Sequence, residues 1–352
     1  MNRNLQLYDE NIRPIKKIEF DVWGNNEILR YSALGKDSLG INIPDLYDNM
    51  EPKRGGLIDQ RLGPSSNSSE CATCGLDPES CEGHFGHIEL AEYMFHLGFR
   101  VYVKKIISNV CLKCSKLLVY KNEDELLELL KNKTGKARFA EIKNLTKNVT
   151  HCAKPGYGCG TPVSKIKLEI KKSSVVVNII AEIQIQTEEG QSPDGKTDAS
   201  GKKILKQILS PETCYNILKN ISDTDCMLMG IDPKRSRPEN MIHKIFPVSP
   251  VSIRPSAKAD FLDSGTKEDD LTHKLADIVK ANIKLRRLKE SQKDITANFG
   301  PDNVNLLQFH VYTNFDNESS ELPKSEQRNK PTKSLSSRLK GKHLCPKKII
   351  AF

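Results

Sequence analysis

The chain has 352 residues, enough for two or three domains with cores of their own. Apolar residues make up 37%, aromatic residues 6% and charged residues 28%, so apolar reserves are thin. No apolar run reaches the ~18 residues of a membrane-crossing helix. The opening MNRNLQLYDENIRPIKKIEF has no apolar stretch of the secretory type, which makes a cytosolic or nuclear setting the expectation and disulfides unexpected.

The formal net charge is +9. Between Lys324 and Phe352, nine Lys or Arg stand against one Glu, so that segment alone holds +8. A local excess of this kind suits a polyanion such as nucleic acid. The plainer reading is a solvated basic tail.

In chain order, EPKRGGLIDQRLGPSSNSSE (51–70) reads as loop. HIELAEYMFHLGFRVYVKKIISNV (87–110) mixes a helical pattern with a β-branched strand pattern. NEDELLELLKNK (122–133) reads as a short amphipathic helix around Leu126, Leu127, Leu129 and Leu130. VSKIKLEIKKSSVVVNIIAEI (163–183) alternates and reads as strands, and the polar stretch 187–203 as an exposed loop. Ser210, Pro211 and Glu212 supply helix-start chemistry for 210–222. PVSPVSIRPS (247–256), with three prolines, reads as extended and exposed. Leu271, Leu275, Ile278, Asn282 and Leu285 form a heptad seam with one polar position. Val304, Leu307 and Val311 offer a second seam, and the short connector favours an antiparallel helical hairpin. Two ordinary core helices are the alternative.

The chemistry lies in ten cysteines. Cys71-x2-Cys74-x6-Cys81-x2-His84 gives two chelating pairs on a short loop. Zinc takes four N/S ligands in a tetrahedron, and four protein ligands leave no open position, so the site is expected to be structural. His87 is within reach as a substitute, but the spacing favours His84. A redox reading of Cys71-Ala-Thr-Cys74 lacks a surrounding βαβ pattern. Cys111-x2-Cys114 and Cys152-x6-Cys159 make a second, all-cysteine set across a 37-residue gap, with four free thiols as the alternative and His151 an uncertain neighbour. Cys214 and Cys226 read as buried apolar cysteines, and Cys345 is isolated. No phosphate-binding glycine loop, nucleophile elbow or aspartate triad is present, so no catalytic residue is assigned.

Several blocks together resemble the N-terminal part of the largest subunit of multisubunit DNA-directed RNA polymerases, nearest the eukaryotic polymerase II type. They are GGLIDQRLG (55–63), CATCGLDPESCEGHFGHIELAEYMFHLGF (71–99), VCLKCSKLLV (110–119), RPENMIHKIFPVSPVSIRPS (237–256), DDLTHKLADIVKANIKLRR (269–287), LLQFHVYTNFDNE (306–318) and KSLSSRLKGK (333–342). They run in the family's order over residues 55 to 342.

The resemblance implies an α+β fold: an irregular, zinc-stapled polymerase clamp with a projecting helical hairpin. It implies clamp core with the first zinc over 1–98 and clamp head with the second zinc over 99–236. Residues 237–322 would return to the core with the lid segment and hairpin, and 323–352 would hold the rudder end and a truncated, basic switch-like segment. The rudder itself would lie near 314–330. Lys330, Lys333, Arg338, Lys340 and Lys342 would contact phosphates of the DNA–RNA hybrid. Implied partners are the second-largest subunit and other polymerase subunits, template DNA, and initiation factors at the hairpin. The magnesium ions of nucleotidyl transfer would sit on an aspartate loop that has no counterpart in these residues. Past Lys342 the sequence HLCPKKIIAF departs from the family's Gly- and Arg-rich switch segment. A nuclear setting is implied or, for a viral source, host cytoplasm or the virion. The rival expectation is a stand-alone zinc-dependent nucleic-acid-binding or interaction module.

Overall fold

The computed structural model describes residues 16–340, apart from 36–38, 50, 67, 122, 153–157, 172–175, 186–202, 259–265, 292–299 and 321. After an extended lead come helix α1 (Asn25–Tyr31) and a minimal hairpin of β1 (Tyr47–Asp48) and β2 (Glu51–Pro52). Apart from β2 and a 3-10 turn over Gln60–Leu62, the described part of 51–70 is irregular, as its glycines and prolines lead one to expect.

The mixed pattern of 87–110 resolves into strand first, helix second. β3 (Gly86–Phe95) buries Ile88, Leu90 and Met94, and α2 (Arg100–Ile107) buries Val103, Ile106 and Ile107. The first set sits at even intervals, the second at helical ones. Two further helices follow, α3 (Glu123–Leu130) and α4 (Gly135–Thr146). Only Leu126 and Leu130 of the α3 leucines are fully buried, while Leu127 and Leu129 are exposed.

The alternating stretch forms β4 (Lys165–Lys171) and β5 (Val176–Ile185), which join β6 (Lys203–Leu209) in an antiparallel sheet of order β4-β5-β6. The expected polar loop at 187–203 lies outside the described residues, except that Lys203 opens β6. α5 (Pro211–Lys219) starts where its cap chemistry requires, with Ser210 Oγ accepting from Thr213 N–H at 3.1 Å. α6 (Asp223–Leu228) precedes β7 (Ile242–Val248), which pairs antiparallel with β3. The chain closes with the hairpin β8 (Ala257–Lys258)–β9 (Thr266–Lys267), α7 (Asp270–Ser291), α8 (Gly300–Phe315), the hairpin β10 (Glu326–Gln327)–β11 (Lys330–Pro331) and α9 (Leu335–Leu339). One apolar core draws on β3, α2, β5, α5, β7, α7 and α8.

The expectation of an exposed 247–256 segment is wrong. Val248, Ser249, Pro250, Val251 and Arg254 are buried, and Val251–Ile253 form a 3-10 turn. Arg254 causes this. Its guanidinium donates to Ser249 O at 3.0 Å, to Thr272 Oγ1 at 3.3 Å and to Leu57 O. Pro247 does stand in a strand, but β7 pairs on one side only, where a missing N–H is tolerated.

The seam residues Leu271, Leu275, Ile278, Asn282 and Leu285 are all buried on α7, and Leu307 and Val311 on α8. Lys274 reaches His310 at 3.2 Å, so the start of α7 lies beside the second half of α8. Asn282 has a different task from the one a heptad would give it. The β3–β7 register breaks between Glu89 and Met94, leaving backbone groups of β3 without ladder partners. Asn282 donates to Glu89 O at 2.8 Å and accepts from Ala91 N–H at 2.7 Å. Arg286 adds a bond to Glu89 O, and Lys244 and Lys289 each add one to Ala91 O. The polar seam position therefore repairs a broken sheet. Asn282→Leu would improve the heptad but orphan the Ala91 N–H and leave Glu89 O to Arg286 alone. Denaturant unfolding is expected to show a loss of about 1–3 kcal/mol; a gain would return Asn282 to the role of a mere seam residue.

Candidate metal centres and basic face

The first cluster hangs on the 3-10 turn at Gln60–Leu62. Ala72 N–H donates to Gln60 O at 3.1 Å, Thr73 Oγ1 to Arg61 O at 2.7 Å, and His84 N–H to Leu62 O at 3.1 Å. These anchors gather Cys71, Cys74, Cys81 and His84 so that their ligand atoms lie within 4.8 Å of one another. Cys74 and Cys81 sulfurs are 3.6 Å apart, and Cys81 Sγ is 3.8 Å from His84 Nε2. Zinc–sulfur bonds of about 2.3 Å in a tetrahedron place ligand atoms about 3.8 Å apart; a disulfide would bring sulfurs to about 2 Å. His87 is not part of the cluster. It is fully buried in β3, with Nδ1 at 2.7 Å from Ser32 Oγ.

The second cluster brings Cys111, Cys114, Cys152 and Cys159 within the same 4.8 Å. Cys111 and Cys159 sulfurs are 3.5 Å apart, and those of Cys114 and Cys152 are 3.6 Å apart. One pair follows α2 and the other follows α4. Cys111, Leu118 and Cys152 form a small apolar cluster of their own. His151 stands in an isolated bridge to Pro162, with its ring beside Thr150, and supplies no ligand atom.

The two Cys-x2-Cys turns share one backbone design. Gly75 N–H donates to Cys71 O at 2.8 Å and Cys71 N–H to Leu76 O at 3.0 Å; Ser115 N–H donates to Cys111 O at 2.9 Å and Cys111 N–H to Lys116 O at 2.9 Å. The residue after the second cysteine takes a positive φ in both, 70° at Gly75 and 57° at Ser115. Each turn points its two thiols to one side, which is what chelation of a single ion requires.

Electrostatics divides the thiols. Burial pushes Cys81 up to about 11 and Cys152 up to about 12, so these groups resist ionisation by themselves. The Thr161 hydroxyl, 2.8 Å from Cys159 Sγ, holds that exposed thiol down to about 6. A divalent cation favours four thiolates, or three with a neutral imidazole, and releases the protons. The donor sets, four sulfurs in one cluster and three sulfurs with one nitrogen in the other, are those of closed zinc sites. Cys214 and Cys226 are fully buried as expected, and burial pushes both thiols up to about 12.

The basic residues divide. Lys330 and Lys333 are exposed, with no ion-pair partner among the described residues. Lys340 bridges Glu318 at 2.7 Å. Arg338 faces inward, pairing with Asp269 and donating to Ile253 O at 3.0 Å. Lys342 lies outside the described residues. Sequence reasoning missed Arg328. It occupies the tip of the β10–β11 hairpin with φ 49°, next to Asn329 at φ 60°, and is exposed. Two residues between paired strands signal a type I′ turn, which favours Asn-Gly; the Arg-Asn pair gives that signal no voice.

Gly75 carries its positive φ without penalty, whereas Ser115 does not. Ser115→Gly is therefore expected to raise the unfolding free energy of the metal-loaded chain by about 0.5–1 kcal/mol. Gly75→Val is expected to lower it by about 1–2 kcal/mol. Equal effects at both positions in denaturant titrations would refute the shared turn design.

Comparison with known proteins meets this geometry from another direction. The family model described as "RNA polymerase Rpb1, domain 1" matches residues 12–343. A relative from Acanthamoeba polyphaga mimivirus, "DNA-directed RNA polymerase subunit 1", is 46% identical over 348 residues, covering 97% of this chain and 23% of the relative. The chain thus spans about a quarter of that relative's length. Both cysteine clusters fall inside the matched region. The chain belongs to the Rpb1 family of RNA polymerase largest subunits and corresponds to its first domain.

Proposed function

We propose that this chain is the clamp part of a viral-type largest subunit of DNA-directed RNA polymerase, holding DNA and the DNA–RNA hybrid while nucleotidyl transfer proceeds elsewhere in the assembly. The observation that carries the reading is the family match over residues 12–343, enclosing two closed four-ligand clusters. Closed clusters have no open coordination position, so their role is to hold loops in place. The magnesium chemistry belongs to parts of the subunit outside this chain.

In this reading residues 1–98 and 237–322 make the clamp core, 99–236 the clamp head, and 323–352 the basic rudder-side segment. The second-largest subunit and other polymerase subunits flank the clamp, and the α7–α8 pair receives initiation factors. Lys330, Lys333 and Lys342 neutralise phosphates directly. Lys340 exchanges its exposed pair with Glu318 for phosphate, because such pairs contribute little by themselves. Arg338 positions α9 against the start of α7 through Asp269.

Arg328 joins them. Asn317 fixes the base of its hairpin by donating to Ser325 O at 2.9 Å and to Thr332 O at 2.8 Å, and by accepting from Ser325 N–H at 2.7 Å. An arginine kept at positive φ on an exposed tip suits a contact with a phosphate.

Two measurements test the reading. Metal analysis of the purified chain is expected to give about two zinc per chain, falling to about one in Cys81→Ser; a folded, metal-free parent would remove both assignments. Arg328→Gly is expected to act with opposite signs. It relaxes the turn and raises stability by about 1 kcal/mol. It also weakens binding to an RNA–DNA hybrid and flattens the salt dependence by about one phosphate contact. Unchanged hybrid binding would exclude Arg328 from the interface.

A further inference from the structure

Three histidines meet the second half of α8, and each is placed so that its ring stays neutral. His310, on α8 itself, has Nδ1 3.2 Å from Lys274 Nζ. An ammonium has no lone pair, so Nδ1 must accept, and an imidazole that accepts carries no charge. The same ammonium donates to Ser325 Oγ at the base of the β10–β11 hairpin. Asp277 stands further off, 4.0 Å from His310. His96 follows β3, and its Nδ1 accepts from Gly98 N–H at 3.0 Å. Its ring centroid lies 4.4 Å from that of Phe315 at the end of α8, 4.7 Å from Phe99 and 5.1 Å from His243. His243, on β7, is buried between Phe246 and Phe315, and its Nε2 meets no partner among the described residues.

Charged and titratable side chains on the elements packed around His96 and His243 are engaged elsewhere. Glu92 of β3 pairs with Lys289, Lys244 of β7 donates to Ala91 O at 3.1 Å, and Arg100 of α2 donates to Leu97 O at 2.7 Å. Tyr312 of α8 accepts from Gln308 at 2.7 Å, and Asp316 beyond it accepts from Ser336 Oγ at 3.1 Å. Burial holds His96 down to about 4. It holds His243 down to about 3, with His96 adding to the effect. It holds His310 down to about 4, with Lys274 adding and Asp277 opposing.

We propose that these histidines form a proton-responsive latch, which fastens the second half of α8 to β3, β7 and α7 at neutral pH and loosens it on acidification towards about pH 5. Protonation undoes each contact in its own way. It sets two cations against each other at Lys274 and His310. It turns His96 Nδ1 from an acceptor into a donor that faces the Gly98 N–H. At His243 it leaves a charge with no partner in an apolar box. Because Lys274 also holds Ser325, the β10–β11 hairpin and Arg328 at its tip loosen with α8.

The test uses the whole 352-residue chain, unfolded by denaturant at about pH 7 and about pH 5. Folded values below the ordinary one of about 6.5 mean that the unfolded chain binds more protons in this window. The penalty is absent above about 6.5 and grows as pH falls towards the folded values. Each histidine is expected to shift the equilibrium about twentyfold towards the unfolded chain between the two conditions. His310→Asn and His96→Asn each keep an acceptor near the place of Nδ1 but do not titrate. Each is expected to reduce the parent's shift by about twentyfold, carboxylates and metal ligands being common to both chains. An undiminished shift in either variant would overturn the proposal. Hydrogen exchange of the unaltered chain, corrected for the pH dependence of intrinsic exchange, locates the loosening. Amides of 310–315 and 326–330 are expected to lose protection at about pH 5 before those of β5. Simultaneous loss in all elements would be global acid unfolding and would overturn the latch.

Discussion

A guanidinium buried at Arg254 sets the terms on which the surrounding chain packs. Taking a cation out of water costs several kcal/mol unless every N–H is met. Here the partners are mostly neutral oxygens from distant segments: Leu57 O, Ser249 O and the Thr272 hydroxyl. Burial pulls Arg254 down to about 10, while Asp269 and Glu268 nearby favour its charge, so it stays protonated at neutral pH. Asp269 in turn accepts from Arg338, which also donates to Ile253 O. The knot joins the loop after β2, the turn after β7, the start of α7 and α9. The first metal cluster sits on its outer side, where Gly83 lies so close to Pro250 and Ser252 that an added Cβ would be 2.6 Å from each.

That dependence explains what could be read in advance and what could not. Cysteine spacing reports chelation directly, because two residues between ligands is a local geometric fact. The membership of both clusters was therefore legible, His84 over His87 included. Helix starts and seams were legible for the same reason: Ser210, Pro211 and the Leu271–Leu285 periodicity act on their own neighbours. Arg254 was not. Its partners are the Leu57 and Ser249 carbonyls and a hydroxyl at Thr272, and a carbonyl has no letter in a sequence. Three prolines made its segment look like a surface strap, and the buried charge turned it inward. Asn282 was visible as a polar interruption, but the broken ladder at Glu89 that it serves was not.

Charge shows the same limit from the other side. A count of basic residues near the end of the chain treats Lys330 and Arg338 alike. Folding separates them, one exposed and one tied to Asp269. On α7, Arg286 and Lys289 satisfy the backbone of β3, while Lys280, Lys284 and Arg287 face a groove. Net charge names a class of partner, and the hydrogen bonds of each side chain decide which cations remain to meet it.

The two metal turns share a backbone design but differ in how much chain they close. The first gathers its ligands from Cys71 to His84, the second from Cys111 to Cys159. Loop closure costs the second about 1 kcal/mol more in chain entropy. On a growing polypeptide the first cluster is complete soon after His84 emerges. The surface it rests against, Pro250 and Ser252, is still unmade. An ion bound at that stage would hold the knuckle as a small independent unit, and would act first as a folding nucleus and only afterwards as an anchor.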